Sequence, residues 1–511
     1  MSIISNPHVL VILVYLLALV GVGVYKTRAV KGSADFMVAG RALPWFVLVG
    51  TLLATWMGNG SLFGGAGLGY RNGLAGLWSS GGGWLGILLV FFIARRIRNF
   101  GKITIPDIFE ARYGRVAALL ATITTVIAYL TIVSYQFKGG GRVLSIVTGG
   151  EITPETGILI TAIFAITYTV LAGMLSVVYT DVVNGALMTI GVLVGLGYLL
   201  IRVGGIGEVV AAADAAGNWS WFGHWHLEKG GGAPGPVIAI AFFVPTLLLL
   251  MGDANMYQRI FSARDAGTAR KAVFFWIIGV VVLESSIAMF GLTGSVAANQ
   301  GIISDLGAAG VAATETIIPT VALEALPLLL GMLLVATMMA MIVSTADSFL
   351  LVPATNLTRD IFQRYLAPDA SERTVVVTGR ILVLALGIVA LLLVGQFPTI
   401  LEAAYTAYLI YGTSITPALL AAFLWKRATR QGAVTSIAIG ALVTLVWTFF
   451  LPQWEGLGFE NWSPFLREVT YPAAGFSLAA LVLVSLATPA PPRSVWERFF
   501  NEDRGRSRGG R

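Results

Sequence analysis

Long apolar runs, separated by short charged or Gly/Pro-rich breaks, cover almost the whole chain. A helix that crosses about 30 Å of hydrocarbon needs about 20 mostly apolar residues, and runs of this length recur throughout. The first run is longer than the apolar core of a cleavable signal peptide, so we expect it to persist as a helix. The pattern predicts an all-α membrane protein with about 13 transmembrane helices. The predicted spans are 8–26, 45–70, 75–97, 116–147, 153–175, 180–203, 236–257, 271–297, 319–352, 376–396, 400–425, 432–452 and 471–489.

The composition supports lipid as the solvent, since 57% of the residues are hydrophobic and only 12% are charged. The chain has no cysteine, and its three histidines lack metal-ligand spacing, so thiol and metal enzymes are not expected. With the N-terminus outside, 27 of the 33 Lys and Arg residues fall on the cytoplasmic side. We therefore expect an integral plasma-membrane protein with a cytoplasmic C-terminus, whose basic charge reflects topology and membrane lipid and not nucleic acid.

Two predicted spans carry helix-breaking residues near mid-depth. Span 2 contains Gly58, Asn59 and Gly60, whereas span 7 contains Pro245 and then Asp253. Each glycine lowers helix stability by about 1 kcal/mol, so such a cluster favours a local break. The two spans are five apart, and discontinuous helices at corresponding positions predict a transporter built from inverted repeats. For a single glycine, close helix packing is the alternative explanation.

Several polar side chains inside predicted spans indicate ligand binding. Asp253 would cost at least about 2.5–3.5 kcal/mol in the membrane interior, and Lys138 in span 4 is a second buried-looking charge. The two could neutralise each other, Lys138 could extend to the interface, or the pair could hold the two ends of a zwitterion. Ser344 and Thr345 in span 9 could supply oxygens to a hard cation such as sodium, although such hydroxyls often bond to their own helix.

Four motifs together resemble the sodium/solute symporter family, which includes sodium-coupled carriers of sugars, proline, pantothenate, sialic acid and choline. They are Asp35-Phe36…Ala39-Gly40-Arg41, Thr180-Asp181-Val182-Val183-Asn184, Gln258-Arg259…Ala263-Arg264-Asp265 and Ser344-Thr345-Ala346-Asp347-Ser348. The resemblance implies a sodium symporter, not an enzyme, that works by alternating access, and we expect a monomer to be the functional unit.

The resemblance also implies a LeuT-like fold with a 5+5 inverted repeat, one extra N-terminal helix and two extra C-terminal helices. A single transmembrane domain would span 1–490, followed by a basic cytoplasmic tail at 491–511. Within that domain, the extra helix is 8–26, the two repeats are 45–203 and 236–425, and the two last helices lie in 432–489.

By the same resemblance, sodium would be bound by the carbonyls of Ala54, Met57 and Met341 and the hydroxyls of Ser344 and Thr345, with Asp181 near a second sodium. The broken parts of spans 2 and 7, with spans 3, 4 and 11, would contact the solute. These segments offer Trp56, Asn59, Ser61, Trp84, Gln136, Asp253, Asn255 and Tyr408, and the charge argument above adds Lys138.

The identity of the solute is left open by these residues. Ala54-Thr55-Trp56 is similar to the choline carriers, but Ile132 and Asp253 stand where further cage aromatics are expected. Ser61 replaces the glutamine of the sugar carriers. We expect an amino acid or another small charged or zwitterionic metabolite, with a carrier of choline or sugar, or a non-transporting sensor, as the alternatives. No charged ring or filter motif favours a channel.

Overall fold

The structure, a computed structural model, describes residues 6–27, 39–101, 104–225 and 233–500. Asp35 and Phe36 of the first motif and the arginine-rich end of the tail lie outside these residues. Within them all regular structure is helical, apart from an isolated bridge between Leu43 and Ala263. The helices are α1 Pro7–Thr27, α2 Trp45–Trp56, α3 Ala66–Asn72, α4 Leu77–Phe100, α5 Ile105–Tyr113, α6 Arg115–Val147, α7 Pro154–Arg202, α8 Ile206–Ala215, α9 Gly235–Gly252, α10 Ala254–Ser262, α11 Ala266–Asn299, α12 Val311–Thr314, α13 Ile317–Glu324, α14 Leu328–Asn356, α15 Glu372–Leu392, α16 Ile400–Leu424, α17 Arg430–Leu445, α18 Pro464–Arg467, α19 Thr470–Ala487 and α20 Arg493–Phe500.

The all-α membrane architecture is confirmed, whereas the predicted count of 13 spans is not. Among the described residues, 11 helical stretches are long and apolar enough to cross a membrane, and Pro7–Val22 and Trp45–Trp56 are shorter apolar helices. The predicted span 319–352 is wrong at both ends. Pro327 precedes α14 as its N-cap, which separates it from α13, and the helix continues beyond Asn356 as a π-helical segment, Leu357–Leu366.

The chain beyond 490 contains one helix that packs on the bundle. Phe499 of α20 is buried, and its ring lies 4.5 Å from that of Phe100 and 5.5 Å from that of Phe423, measured between ring centroids. Lys426 lies over the ring of Trp496 on the same helix. The first part of the predicted basic tail is therefore held against the ends of α4 and α16.

The break predicted in span 2 is present. Helix α2 ends at Trp56, and the chain becomes helical again in a π-helical turn, Gly60–Gly65, that leads into α3. A Cβ atom on Gly58 would lie 2.8 Å from Thr345 Oγ1, and one on Gly60 would lie 2.4 Å from the Tyr408 hydroxyl. These glycines therefore permit the break and also allow neighbouring helices to approach, so both explanations given for them above apply.

The second predicted break is also present, at Asp253. This residue has extended backbone between α9 and α10, and its side chain accepts a hydrogen bond from Met256 N at 3.0 Å. Helix α2 packs against α7, α11 and α14, and α10 contacts both α2 and α14. The fold thus places two interrupted helices together in the interior of the bundle.

Candidate functional site

The break in α2 leaves two backbone carbonyls without their usual helical partners. Gly58 N donates to Trp56 O and not to the carbonyl of Ala54, while Ser61 N donates to Gly58 O and not to that of Met57. Both carbonyls instead face α14. The broken backbone, together with glycines that allow α14 to approach, thus exposes two acceptors in the protein interior.

Two hydroxyls of α14 lie opposite these carbonyls. Ser344 Oγ is 3.3 Å from Ala54 O, and Thr345 Oγ1 is 3.5 Å from Ala54 O and 3.3 Å from Met57 O. Met341 is buried one turn earlier on the same helix. The structure therefore brings four of the five residues predicted for the first sodium together around one point, with Met341 directly adjacent in the helix.

Asp181 of α7 joins the same cluster through its carboxylate. Its Oδ1 accepts from Ser344 Oγ at 2.5 Å, and its Oδ2 accepts from Thr51 Oγ1 at 2.6 Å. The Arg259 guanidinium forms an ion pair with Asp181 Oδ2 at 3.2 Å, and both side chains are fully buried. Asp181 is thus neutralised by an arginine of the protein itself.

Arg259 is one of the 27 basic residues that the sequence assigned to the cytoplasmic side, but it lies fully buried inside the protein. It lies in α10, where its Nη2 donates to Ser348 Oγ at 2.7 Å and its Nη1 donates to Asn255 Oδ1 at 3.2 Å. Sequence reasoning counted it as a topological charge because it follows an apolar run. The break at Asp253 turns that segment inward, so that Asn255, predicted to contact solute, contacts Arg259.

A second group of predicted residues lies where the π-helical turn meets α6 and α16. Asn59 Nδ2 donates to the carbonyls of Tyr135 and Gln136, both at 3.0 Å, and Gln136 Oε1 accepts from Asn59 N at 3.0 Å. The ring of Tyr408 lies 5.9 Å from that of Trp56. Asn59, Gln136, Trp56 and Tyr408 therefore surround one side of the break.

Lys138 and Asp253, whose pairing was one of the three possibilities raised above, form no ion pair with each other in the described residues. Lys138 Nζ donates to the carbonyl oxygens of Phe397 and Pro398, the latter at 3.1 Å, before the start of α16. Asp253 is buried at the other interrupted helix, where it caps α10. The Lys138 ammonium group is therefore held by the segment that precedes α16.

Glu284 of α11 is a buried acid that sequence reasoning missed. Its carboxylate accepts from Trp56 Nε1 at 2.7 Å, from Trp84 Nε1 at 2.8 Å and from Ser61 Oγ at 3.3 Å. All three donors were predicted to contact solute. A lone carboxylate within the apolar run 271–297 was the available signal, by the same cost argument that singled out Asp253.

A cavity of about 840 Å³, here called the vestibule, lies at one end of the bundle. Its inner side includes Tyr405, whose ring lies 5.6 Å from that of Tyr408. Tyr408 therefore separates the vestibule from Trp56. The lining residues are Arg71, Asn72, His224, Ala241, Phe242, Val311, Thr399, Leu401, Glu402, Tyr405, Thr406, Leu409, Trp447, Thr448, Pro452, Phe459, Arg467, Glu468, Val469 and Thr470.

Charged contacts elsewhere join α5 to the end of α14, and we call them the Asp107 cluster. Asp107 forms ion pairs with Arg359 at 3.4 Å and with Arg364, while Arg364 also pairs with Glu110. Thr104 Oγ1 donates to Asp360 Oδ2 at 3.0 Å. These contacts connect the short helix α5 to the π-helical segment that follows α14.

Comparison with known proteins now adds to this geometry. The family model described as "Sodium:solute symporter family" matches residues 36–440. The chain belongs to the sodium:solute symporter family. This symporter is therefore an integral membrane protein that couples the movement of a small organic solute to sodium, and it is a transporter, not an enzyme.

Relatives within the family differ in the solutes they carry. The osmoregulated proline transporter OpuE of Bacillus subtilis (strain 168) is 27% identical, covering 95% of this chain and 96% of its own length. The sodium/glucose cotransporter of Vibrio parahaemolyticus is 25% identical, covering 95% and 91%. A solved Na+-coupled sialic acid symporter, 18% identical, superposes with a TM-score of 0.79 over 96% of this chain and 99% of its own. The symporter therefore has the LeuT-like fold.

Proposed function

We propose that this symporter carries an amino acid or another small charged or zwitterionic metabolite, driven by sodium bound at the break in α2. The carbonyls of Ala54 and Met57 with the hydroxyls of Ser344 and Thr345 form the ligand set, and Met341 O completes it. The observation that carries the proposal is the approach of the two hydroxyls to the two carbonyls, with three hydroxyl-to-carbonyl distances of 3.3–3.5 Å.

The spacing of these oxygens supports a cation site. O–H···O hydrogen bonds are usually about 2.7–2.8 Å long, shorter than the distances found here. Cations of the size of calcium and sodium take oxygen ligands at about 2.3–2.6 Å, which places neighbouring oxygens of an octahedral set roughly 3.3–3.7 Å apart. The hydroxyls and carbonyls are thus spaced as ligands of one ion. Asp181, which contacts Ser344, would support a second sodium.

The solute would lie beside the break, against Trp56, Asn59, Gln136 and Tyr408. These side chains come from α2, from the break that follows it, and from α6 and α16, so the site would draw on both predicted repeats. Ser61, Trp84, Asp253 and Asn255 remain in the proposed set. Lys138 is removed from it, because its ammonium is held by carbonyls outside this group.

For orientation, we propose an external N-terminus and a cytoplasmic C-terminus. The vestibule then opens outward, and the Asp107 cluster, with Arg359 and Arg364, lies on the cytoplasmic side favoured by basic residues. One chain supplies all the proposed ligands, so a monomer suffices. The apolar side chains of Leu17, Ile201 and Leu329, which are 70–77% exposed, would contact membrane lipid.

Sodium and solute would be coupled through the break itself. Sodium holds residues 54–57 against α14, and this order fixes the position of Trp56 and Asn59 for the solute. Because binding free energies are reciprocal, the solute then tightens sodium binding to the same extent. Alternating access follows if sodium binding at the break stabilises the conformation in which the site is open to the vestibule.

The test is the double variant Ser344→Ala/Thr345→Ala, measured by uptake in proteoliposomes and by melting temperature in sodium and in potassium. We expect sodium-dependent uptake to be lost while the protein stays folded. The matched control is Ser286→Ala/Thr435→Ala, whose hydroxyls donate only to their own helices. Unchanged sodium dependence in the first double variant would contradict the proposed site.

A further inference from the structure

Glu284 differs from the acids in the interior that have an arginine partner. Its side chain is only 4% exposed, and among the described residues no Lys, Arg or His nitrogen lies within 4.0 Å of its oxygens. Its described hydrogen-bond partners are the neutral donors of Trp56, Trp84, Ser61 and Ser80. A charged side chain inside a membrane usually has a partner of opposite sign or marks a transport pathway. The protein provides no such positive charge beside Glu284.

The position of Glu284 links it to the break in α2. Trp56 precedes the break and Ser61 follows it, and both donate to Glu284 Oε1. The carbonyls proposed for sodium, at Ala54 and Met57, lie within the same eight residues of chain. A change in the charge near Glu284 would therefore shift the backbone between Trp56 and Ser61, which includes the Met57 carbonyl proposed to bind sodium.

A series of aromatic contacts also links Glu284 to the vestibule. Tyr405 lines the vestibule and packs against Tyr408, Tyr408 packs against Trp56, and Trp56 donates to Glu284. Aromatic faces beside a carboxylate suit an organic cation, because both the ring quadrupole and the negative charge attract it. A neutral sugar would gain nothing from the charge.

We propose that Glu284 is the residue that selects solutes bearing a positively charged nitrogen. The protonated amine of a zwitterion, or an organic cation, lies against Glu284 with Trp56 and Tyr408 around it, and supplies the charge that the protein lacks there. This inference rests on the proposed function and narrows its substrate class. A purely structural link between α2 and α11 is the competing explanation for the same hydrogen bonds.

The experiment compares matched probes that differ in the nitrogen. L-proline is paired with tetrahydrofuran-2-carboxylate, and choline is paired with 3,3-dimethylbutanol. Thermal shift and isothermal titration are measured on the purified full chain, in sodium and in potassium. In sodium, we expect at least one nitrogen probe to bind and its partner to bind far more weakly.

Glu284→Gln should weaken binding of that nitrogen probe by about 10- to 100-fold, because one charge-assisted contact is lost. The partner probe without the positively charged nitrogen should bind as before, so the preference disappears. Glu284→Asp keeps the charge and should retain most of the preference. Glu315→Gln is the matched control, since Glu315 is equally buried but pairs with Arg142 at 2.6 Å.

The outcomes separate the two proposals. Retention of the nitrogen preference in Glu284→Gln, or equal weakening of both members of a pair, overturns the role of Glu284 and identifies a structural link. Absence of any sodium-dependent shift with the nitrogen probes also overturns it, while shifts with neutral solutes in sodium leave the sodium site intact. Equal shifts in sodium and potassium overturn the sodium site instead.

Discussion

Asp181 and Glu284 are both buried carboxylates that contact the residues around the break in α2, but their partners differ in charge. Asp181 has Arg259 at 3.2 Å together with the hydroxyls of Ser344 and Thr51. Glu284 has two indole N–H groups and the hydroxyls of Ser61 and Ser80. The first cluster is electrically balanced within the chain, whereas the second depends on what is bound. The comparison suggests that one acid organises the site and the other recognises the solute.

The largest loss of stability should come from removing Arg259, the counter-charge of Asp181. Arg259→Met leaves Asp181 buried without its counter-charge, which typically costs about 3–5 kcal/mol. We expect a large drop in melting temperature and in the yield of folded protein. The double variant Arg259→Met/Asp181→Asn, which removes both charges, should recover much of the loss. If the single variant melts like the wild type, the pair does not organise the site.

An effect of intermediate size is expected from a substitution at Gly58, in the break between α2 and the π-helical turn. Gly58→Ala would place a Cβ 2.8 Å from Thr345 Oγ1 and 3.0 Å from Gln136 Nε2. Overpacking of this kind costs about 1–3 kcal/mol, and here it would push α14 away from the carbonyls of α2. We expect a higher sodium concentration for half-maximal uptake. Gly197→Ala, where a Cβ meets no atom within 4 Å, is the control; equal sodium dependence in both variants would refute this explanation.

The smallest effect on stability should come from Glu284, the carboxylate without a positively charged partner in the described residues. In Glu284→Gln the side-chain oxygen can still accept from Trp56, and no opposite charge is left unpaired. We expect the free energy of unfolding without solute to change by no more than about 1–2 kcal/mol, the cost of one disturbed hydrogen bond. A loss as large as that of Arg259→Met, measured by denaturation in detergent, would remove the contrast between the two acids.

Sequence patterns predicted those features that depend on local composition. Gly58 and Gly60 marked the first break and Asp253 the second, because helix propensity is a property of neighbouring residues, whereas Pro245 lies inside α9 without interrupting it. Ser344 and Thr345 were selected first as adjacent hydroxyls in an apolar span and then by family resemblance, and both lie beside the first break. The exact count and ends of the spans were less predictable, since Pro327 separates two apolar helices that read as one run.

The partners of buried charges could not be predicted in the same way. A pair between Lys138 and Asp253 was one possibility because both looked buried, but their positions depend on where α6 and the break at Asp253 lie in three dimensions. Arg259 looked like a loop charge for the same reason. Glu284 was visible as a lone acid in an apolar run, yet only the packing of α2, α4 and α11 identifies its two tryptophan donors.

The Asp107 cluster has a consequence for the speed of the transport cycle. On the orientation proposed above, a cytoplasmic opening that separates α5 from the end of α14 would require Asp107 to release both Arg359 and Arg364. These contacts then act on the dwell time of the closed cytoplasmic gate and not on the affinity for solute. Their arginine side chains are 31% and 23% exposed, so mobile ions can screen them. Turnover should therefore rise with total ionic strength even when the sodium concentration is held constant.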